Sequence, residues 1–133
     1  MSALDGLLLD TTVLIDVLRG RAAADRLKRL RGAAPPPYVS AVNIEEVWRG
    51  LRPGEEAAAQ QLFDGLRLAE LGRREGRLAG TWRGTYAARG VTLAQADCLI
   101  AAAAHGVGAR LATGNPRDFP MDDVDIDHWP VGR

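Results

Sequence analysis

Four acids, Asp10, Glu46, Asp97 and Asp118, fall near the ends or on the faces of apolar segments, where an α/β protein can bring reactive groups together. Asp10 follows Leu7-Leu8-Leu9 directly and precedes Thr11 and Thr12, so a short apolar strand ends by presenting a carboxylate at its tip. Open α/β sheets bind ligands outside the carboxyl ends of their strands. A lone charge at such a low-dielectric edge is costly, so Asp10 needs a partner; capping the following helix is the other reading that local sequence allows. Asp97 is the sharper case. Leu93, Ala96, Ile100, Ala103, Ala104 and Val107 recur at helical spacing, and Asp97 lies on that apolar face, four after Leu93 and three before Ile100. A carboxylate there must pair with a cation or bind a metal, and an internal salt bridge to an arginine is the competing reading.

Glu45 and Glu46 both fall off the apolar face made by Ile44, Val47, Trp48 and Leu51, so periodicity does not separate them. The segment Thr113-Gly114-Asn115-Pro116-Arg117-Asp118-Phe119 repeats the plan of the first: a short strand ends and polar side chains follow, Asn115 offering a carbonyl oxygen and Asp118 a carboxylate. An Asn-Pro turn with Asp118 capping a last helical turn explains the same residues without chemistry. Together these groups supply hard oxygen donors, with no sulfur cluster and no histidine pair at ligand spacing, which favours Mg²⁺ or Mn²⁺ over zinc. Such an ion acidifies bound water and neutralises charge building on a phosphodiester, so the chemistry that follows is hydrolysis of a nucleic-acid backbone.

The elements that must position these groups can be read in turn. Leu7 to Asp10 predicts a strand, with Thr12 capping a helix that runs through Leu18 and stops at Gly20. Ala22 to Leu30 predicts a second helix, and Gly32 to Pro37 a stiff breaker. Tyr38-Val39 reads as a strand, Ser40 as the N-cap of a helix Ala41 to Leu51, and Pro53-Gly54 as its stop. Glu55 to Leu66 is helical, Arg67 to Leu71 a short strand, and Arg73 to Arg89 helical despite three glycines. Thr92 opens a helix ending near Gly106, Ala109 to Thr113 is a strand, and Val124 to Ile126 a last edge strand. Strands alternating with helices predict a parallel sheet covered on both faces, with strand order open.

A chain of 133 residues, 47% of them apolar, predicts one domain, residues 1–133, with its own core. No run approaches the roughly 18 to 20 apolar residues of a membrane span, and no basic segment leads into a long apolar stretch, so the expectation is a soluble, cytoplasmic protein without a membrane partner. Cys98, the only cysteine, reads as a small core residue. Acids and bases balance at seventeen each, which argues against a global positive field. They are unevenly placed, however: Arg19, Arg21, Arg26, Lys28, Arg29 and Arg31 crowd one stretch and Asp122, Asp123, Asp125 and Asp127 another.

The motifs resemble the PIN-domain nucleases, and among them the VapC toxins of bacterial toxin–antitoxin pairs. The matching pieces are Leu9-Asp10-Thr11-Thr12-Val13-Leu14-Ile15-Asp16, then Ser40 with Glu46 and Gly50, then Ala94-Gln95-Ala96-Asp97-Cys98-Leu99-Ile100-Ala101-Ala102, and Leu111-Ala112-Thr113-Gly114-Asn115-Pro116-Arg117-Asp118-Phe119. They span most of the chain in family order. The resemblance implies Asp10 and Asp97 as principal metal ligands, picks Glu46 over Glu45 as the third acid, and completes the pocket with Asn115 and Asp118. Thr11, Thr12 and Thr113 become hydroxyls that orient carboxylates. It further implies a three-layer α/β/α sandwich with a central, mainly parallel sheet, an Mg²⁺- or Mn²⁺-dependent endoribonuclease, a homodimer, RNA as substrate, and a cognate VapB-type antitoxin that blocks the acidic pocket. Arg49, Arg52 and the early basic stretch are candidates for the RNA backbone by charge. Trp48, Trp82 and Trp129 are expected in core or dimer packing rather than stacked on bases.

Other readings fare worse. A haloacid-dehalogenase phosphatase needs a second Asp where Thr12 stands, and a receiver domain needs paired acids and a late lysine, whereas Lys28 is the sole lysine. A metal-independent ribonuclease would need His105 and His128 brought together. A degenerate PIN-fold binding partner would be expected to have lost pocket acids, and all four are present.

Overall fold

The computed structural model describes residues 6–32 and 35–132. The chain runs β1 (Leu7–Leu9), α1 (Thr11–Leu18), α2 (Ala22–Leu30), β2 (Tyr38–Val39), α3 (Ala41–Arg49), α4 (Glu56–Asp64), β3 (Arg67–Leu68), α5 (Arg73–Ala87), α6 (Gln95–Gly106), β4 (Arg110–Thr113), a 3₁₀ turn (Pro116–Asp118) and β5 (Ile126–His128). The five strands form one sheet in the order β3-β2-β1-β4-β5, and every neighbouring pair is parallel. Residues 33–34, inside the proline-rich breaker, lie outside the described residues.

Parallel strands covered on both faces read as unbroken apolar runs, which is why β1 can be three leucines. Alternation then sends them to two cores. Leu8 joins Trp82, Ile100, Ala101 and Leu111 under α5 and α6, whereas Leu7 and Leu9 join Val13, Leu14, Leu27, Val47 and Phe63 under α1 to α4. These are the three layers of an α/β/α sandwich. The sequence-based "mainly parallel" becomes wholly parallel among the described strands, and the open strand order is resolved with β1 at the centre. The chain leaves β1 toward β2 on one side and returns as β4 on the other, so the crevice at the C-terminal ends of β1 and β4 is the switch point where such sheets bind ligands.

Some boundaries differ from expectation. Asp10, not Thr12, is the N-cap residue of α1, and Thr12 lies inside the helix with its hydroxyl turned to other partners. α3 ends at Arg49 because Gly50 N–H already bonds back to the Val47 carbonyl, before Pro53-Gly54 is reached. α6 begins at Gln95 rather than Thr92, with Ala94 extended as its N-cap residue. The last strand falls on Ile126–His128 instead of Val124 to Ile126, because Trp129 N–H reaches the Thr113 carbonyl and sets the register with β4. No helix among the described residues is long and apolar enough to cross a membrane.

Candidate active site

The loop at the end of β1 places Asp10 in the switch-point crevice, only 4% exposed. Its Oδ2 accepts hydrogen bonds from the Thr113 hydroxyl at 2.8 Å and the Thr12 hydroxyl at 3.2 Å. Both hydroxyls are themselves held: Thr12 Oγ1 accepts the Gly114 N–H at 3.0 Å and Thr113 Oγ1 the Asn115 N–H at 3.0 Å. The turn after β4 is thereby stitched to the first turn of α1. Gly114 has no room for a side chain, since an added Cβ would come within 2.7 Å of Val131.

Glu46 enters from α3 by a relay. The Ser40 hydroxyl donates to Asn43 Oδ1 at 2.7 Å, Asn43 Nδ2 donates to Thr11 Oγ1 at 3.1 Å, and Thr11 donates to Glu46 Oε1 at 2.7 Å. Glu45 points elsewhere, exposed and paired with Arg49 at 3.3 Å. Asp97 comes from the first turn of α6, where the helix N-terminus favours negative charge. Asp118 ends the 3₁₀ turn and is exposed.

These acids act on one another. Burial pushes the Asp10 carboxyl above its ordinary range against the pull of Thr113, the Thr11 backbone N–H and Thr12, and the Glu46 charge adds to the rise. Asp97 is pushed up to about 6, by burial first and then by the charges of Asp118, Asp10 and Glu46. Among the described residues no arginine or lysine forms an ion pair with any of the four. A cluster of anions that runs from buried Asp10 to exposed Asp118 with no paired cation among the described residues could hold a metal, and hard oxygen donors suit Mg²⁺ or Mn²⁺. No three acids, histidines or cysteines among the described residues are gathered tightly enough to enclose an ion by themselves.

Residues 7–126 match the family model described as PIN domain. This chain belongs to the PIN domain family. A relative, Ribonuclease VapC19 of Mycobacterium tuberculosis, is 38% identical over 119 residues, covering 86% of this PIN domain and 92% of the relative. The fold of this chain resembles that of a chain in DNA-bound VapBC from Salmonella typhimurium, with a TM-score of 0.79 at 20% identity, covering 92% of this chain and 97% of that one. A toxin–antitoxin complex from Klebsiella pneumoniae matches with a TM-score of 0.70 at 25% identity, over 89% and 94% of the two chains. The likeness to VapC proteins named from the motifs is thus matched by a relative along most of the chain.

The fold brings Asp10, Glu46 and Asp118 of this PIN domain within electrostatic reach of Asp97, and Thr11, Thr12 and Thr113 into hydrogen bonds with Asp10 or Glu46. Asn115 is exposed, and its side chain makes no hydrogen bond among the described residues. Sequence reasoning missed Asn43, wholly buried and the link between Ser40 and Thr11. The signal was present. Asn43 occupies the third position of a helix capped by Ser40, forms a reciprocal capping box with it, and lies three residues before Glu46 on the same side of α3. Trp82 and Trp129 are core residues as expected, while Trp48 is 45% exposed. Cys98 is buried, which pushes its thiol up and makes it inert. His105 lies in the last turn of α6, before β4 begins, and His128 pairs with Thr113 where β4 ends, so the two histidines sit toward opposite ends of β4.

Proposed function

We propose that this PIN domain is a divalent-metal-dependent endoribonuclease, the toxin of a VapBC-type pair. The observation that carries this reading is the group of four acids, from the end of β1, α3, α6 and the turn after β4, in which Asp118, Asp10 and Glu46 all bear on Asp97, and Glu46 on Asp10, with no ion-paired cation among the described residues. The names of the relatives support it, one a ribonuclease and another a toxin–antitoxin complex. Asp10 and Asp97, with Glu46 and Asp118, would hold Mg²⁺ or Mn²⁺. The chemistry such an ion supplies is activation of water and neutralisation of charge on a phosphodiester under in-line attack.

The chain's own residues do the positioning. Thr12 and Thr113 fix one oxygen of Asp10, the Ser40–Asn43–Thr11 relay fixes Glu46, and Asn115 and Asp118 line the entrance. Asp97, half-buried, is the acid on which the other charges converge. A cytoplasmic protein that meets a VapB-type antitoxin and forms a homodimer completes the reading, and the exposed Trp48 and Leu68, beside a cavity of about 390 Å³ lined also by Val39, Ile44 and Phe63, give a second copy an apolar face. The competing reading, a degenerate binding partner, is disfavoured because none of the four acids is missing.

The test is cleavage of defined single-stranded RNAs by the purified protein with Mg²⁺ or Mn²⁺ and with EDTA. Cleavage that requires the metal is expected. Cleavage that survives EDTA and disappears in His105→Ala would sink the metal reading, and binding without cleavage under every metal condition would favour the degenerate partner.

A further inference from the structure

An acidic pocket repels the polyanion it cuts, so cations near its rim must offset that repulsion. Several arginines are already engaged. Arg19 pairs with Glu55 at 3.5 Å, Arg26 and Arg110 both pair with Asp127, at 3.4 and 3.3 Å, and Arg49 pairs with Glu45. The early basic stretch and the α3 arginine are thus partly neutralised. The C-terminal half of α5 is different.

α5 runs antiparallel to α6: Glu75 near its start packs on Gly106, and Arg83 near its end reaches Leu93, just before α6 begins. Arg83 Nε donates to the Leu93 carbonyl at 3.3 Å, and no carboxylate pairs with this guanidinium among the described residues. It lies at the end of α6 that carries Asp97, and both charges act on the same neighbouring sulfur, that of Cys98. Three residues on, and so adjacent along the helix, the half-buried Tyr86 donates its hydroxyl to the Pro120 carbonyl at 2.9 Å, two residues past Asp118. The Arg89 guanidinium stands 5.3 Å from the centre of the Tyr86 ring. Arg83 and Tyr86 are thus tied by hydrogen bonds to the segments that bear Asp97 and Asp118, and Arg89 stands against the Tyr86 ring.

We propose that Arg83, Tyr86 and Arg89 form a ladder that holds single-stranded RNA beside the bond to be cut, the guanidinium groups on backbone phosphates and the Tyr86 ring against a base. Alternating cations and aromatic faces are how sequence-tolerant single-strand sites are built. The ladder rests on the ribonuclease reading and deepens it, since a metal-bearing pocket alone does not say from which side the strand is fed.

The experiment measures binding of a labelled single-stranded oligoribonucleotide, one that the unmodified protein cleaves, in the Asp10→Asn background across a range of salt. Arg83→Gln and Arg89→Gln are each expected to weaken binding about ten-fold and to flatten the salt dependence by about 0.7 in log–log slope, one phosphate contact apiece. Arg83→Lys should restore the slope. Tyr86→Ala should weaken binding roughly ten-fold with the slope unchanged. Arg74→Gln, on the face of α5 opposite Arg83, is the control that should match the parent. Affinities and slopes for the Arg83 and Arg89 variants equal to that control would overturn the ladder, as would loss of antitoxin binding with RNA binding intact. If the unmodified protein cleaves no RNA the ribonuclease reading itself falls, whereas cleavage with unaltered binding in the arginine variants removes the ladder alone.

Discussion

Asp10 and Asp16 are six residues apart and almost equally buried, at 4% and 2% exposed, yet their surroundings differ in kind. Asp16 has each oxygen matched to a backbone donor: Oδ2 accepts the Ala23 N–H at the start of α2 and Oδ1 the Gly132 N–H, both at 2.8 Å. It neutralises a helix N-terminus and ties the end of the chain to α1, so the fold is complete around it. Asp10 is held by hydroxyls that are themselves anchored, and its charged neighbours are acids. Burial and hydrogen bonding alone therefore do not mark a reactive carboxylate. The sign of the charge around it does.

The strongest way to break this contrast is to replace each acid by its amide. Asp10→Asn should abolish RNA cleavage and raise the melting temperature of the metal-free protein, because relief of a buried charge beside Glu46 outweighs the Thr11 N–H bond the amide can lose, while its oxygen still accepts from Thr12 and Thr113. Asp16→Asn should do the reverse. Its NH₂ must face either the Ala23 or the Gly132 N–H, donor against donor, at a cost of about 2 kcal/mol, while activity per folded molecule is kept. Thermal melts and single-turnover cleavage of both variants decide it, and a destabilised Asp10→Asn or an inactive but stable Asp16→Asn would dissolve the distinction.

A smaller effect probes the hydroxyls. Thr113→Val keeps the shape of a buried side chain but removes the donor to Asp10 and the acceptor for Asn115 N–H. By analogy with groups that orient metal-binding carboxylates, cleavage should fall 10- to 100-fold, roughly, with most of the loss recovered by raising the metal concentration. Loss that no metal concentration recovers would mean that Thr113 supports the fold rather than the carboxylate.

How much of this the sequence carries depends on range. Leu7-Leu8-Leu9-Asp10 and the apolar stripe around Asp97 announce themselves locally, because a charge against an apolar face violates a periodicity that can be counted. Glu45 and Glu46 cannot be separated that way, since the choice is made by Thr11 and Asn43, brought in from β1's end and α3's first turn. Asp16 reads as one more acid in an opening motif, and its purpose appears only when Gly132, far along the chain, returns to meet it. The strand order, too, rests on which runs meet across the sheet, and no single run encodes that.

Asp97 offers the smallest and most specific test of which kind of acid it is. Its proton is held more tightly in the folded state, at about 6, than its ordinary value of 3.8 would give. Between those values the folded protein binds more protons than the unfolded chain, so this group's contribution to stability falls as pH rises from about 4 to about 6 and stays low above. The carboxyl is half-exposed, and solvent screening limits the effect to about 1 kcal/mol, roughly 4 °C in melting temperature. Melting curves of the metal-free protein and of Asp97→Asn at pH 5 and pH 7.5 isolate it: the advantage of the amide variant should grow toward the higher pH, and Mg²⁺ or Mn²⁺ should erase that advantage by stabilising only the unmodified protein. An advantage that is constant with pH, or a divalent ion that stabilises both alike, would place Asp97 with Asp16 among the acids the fold has already satisfied.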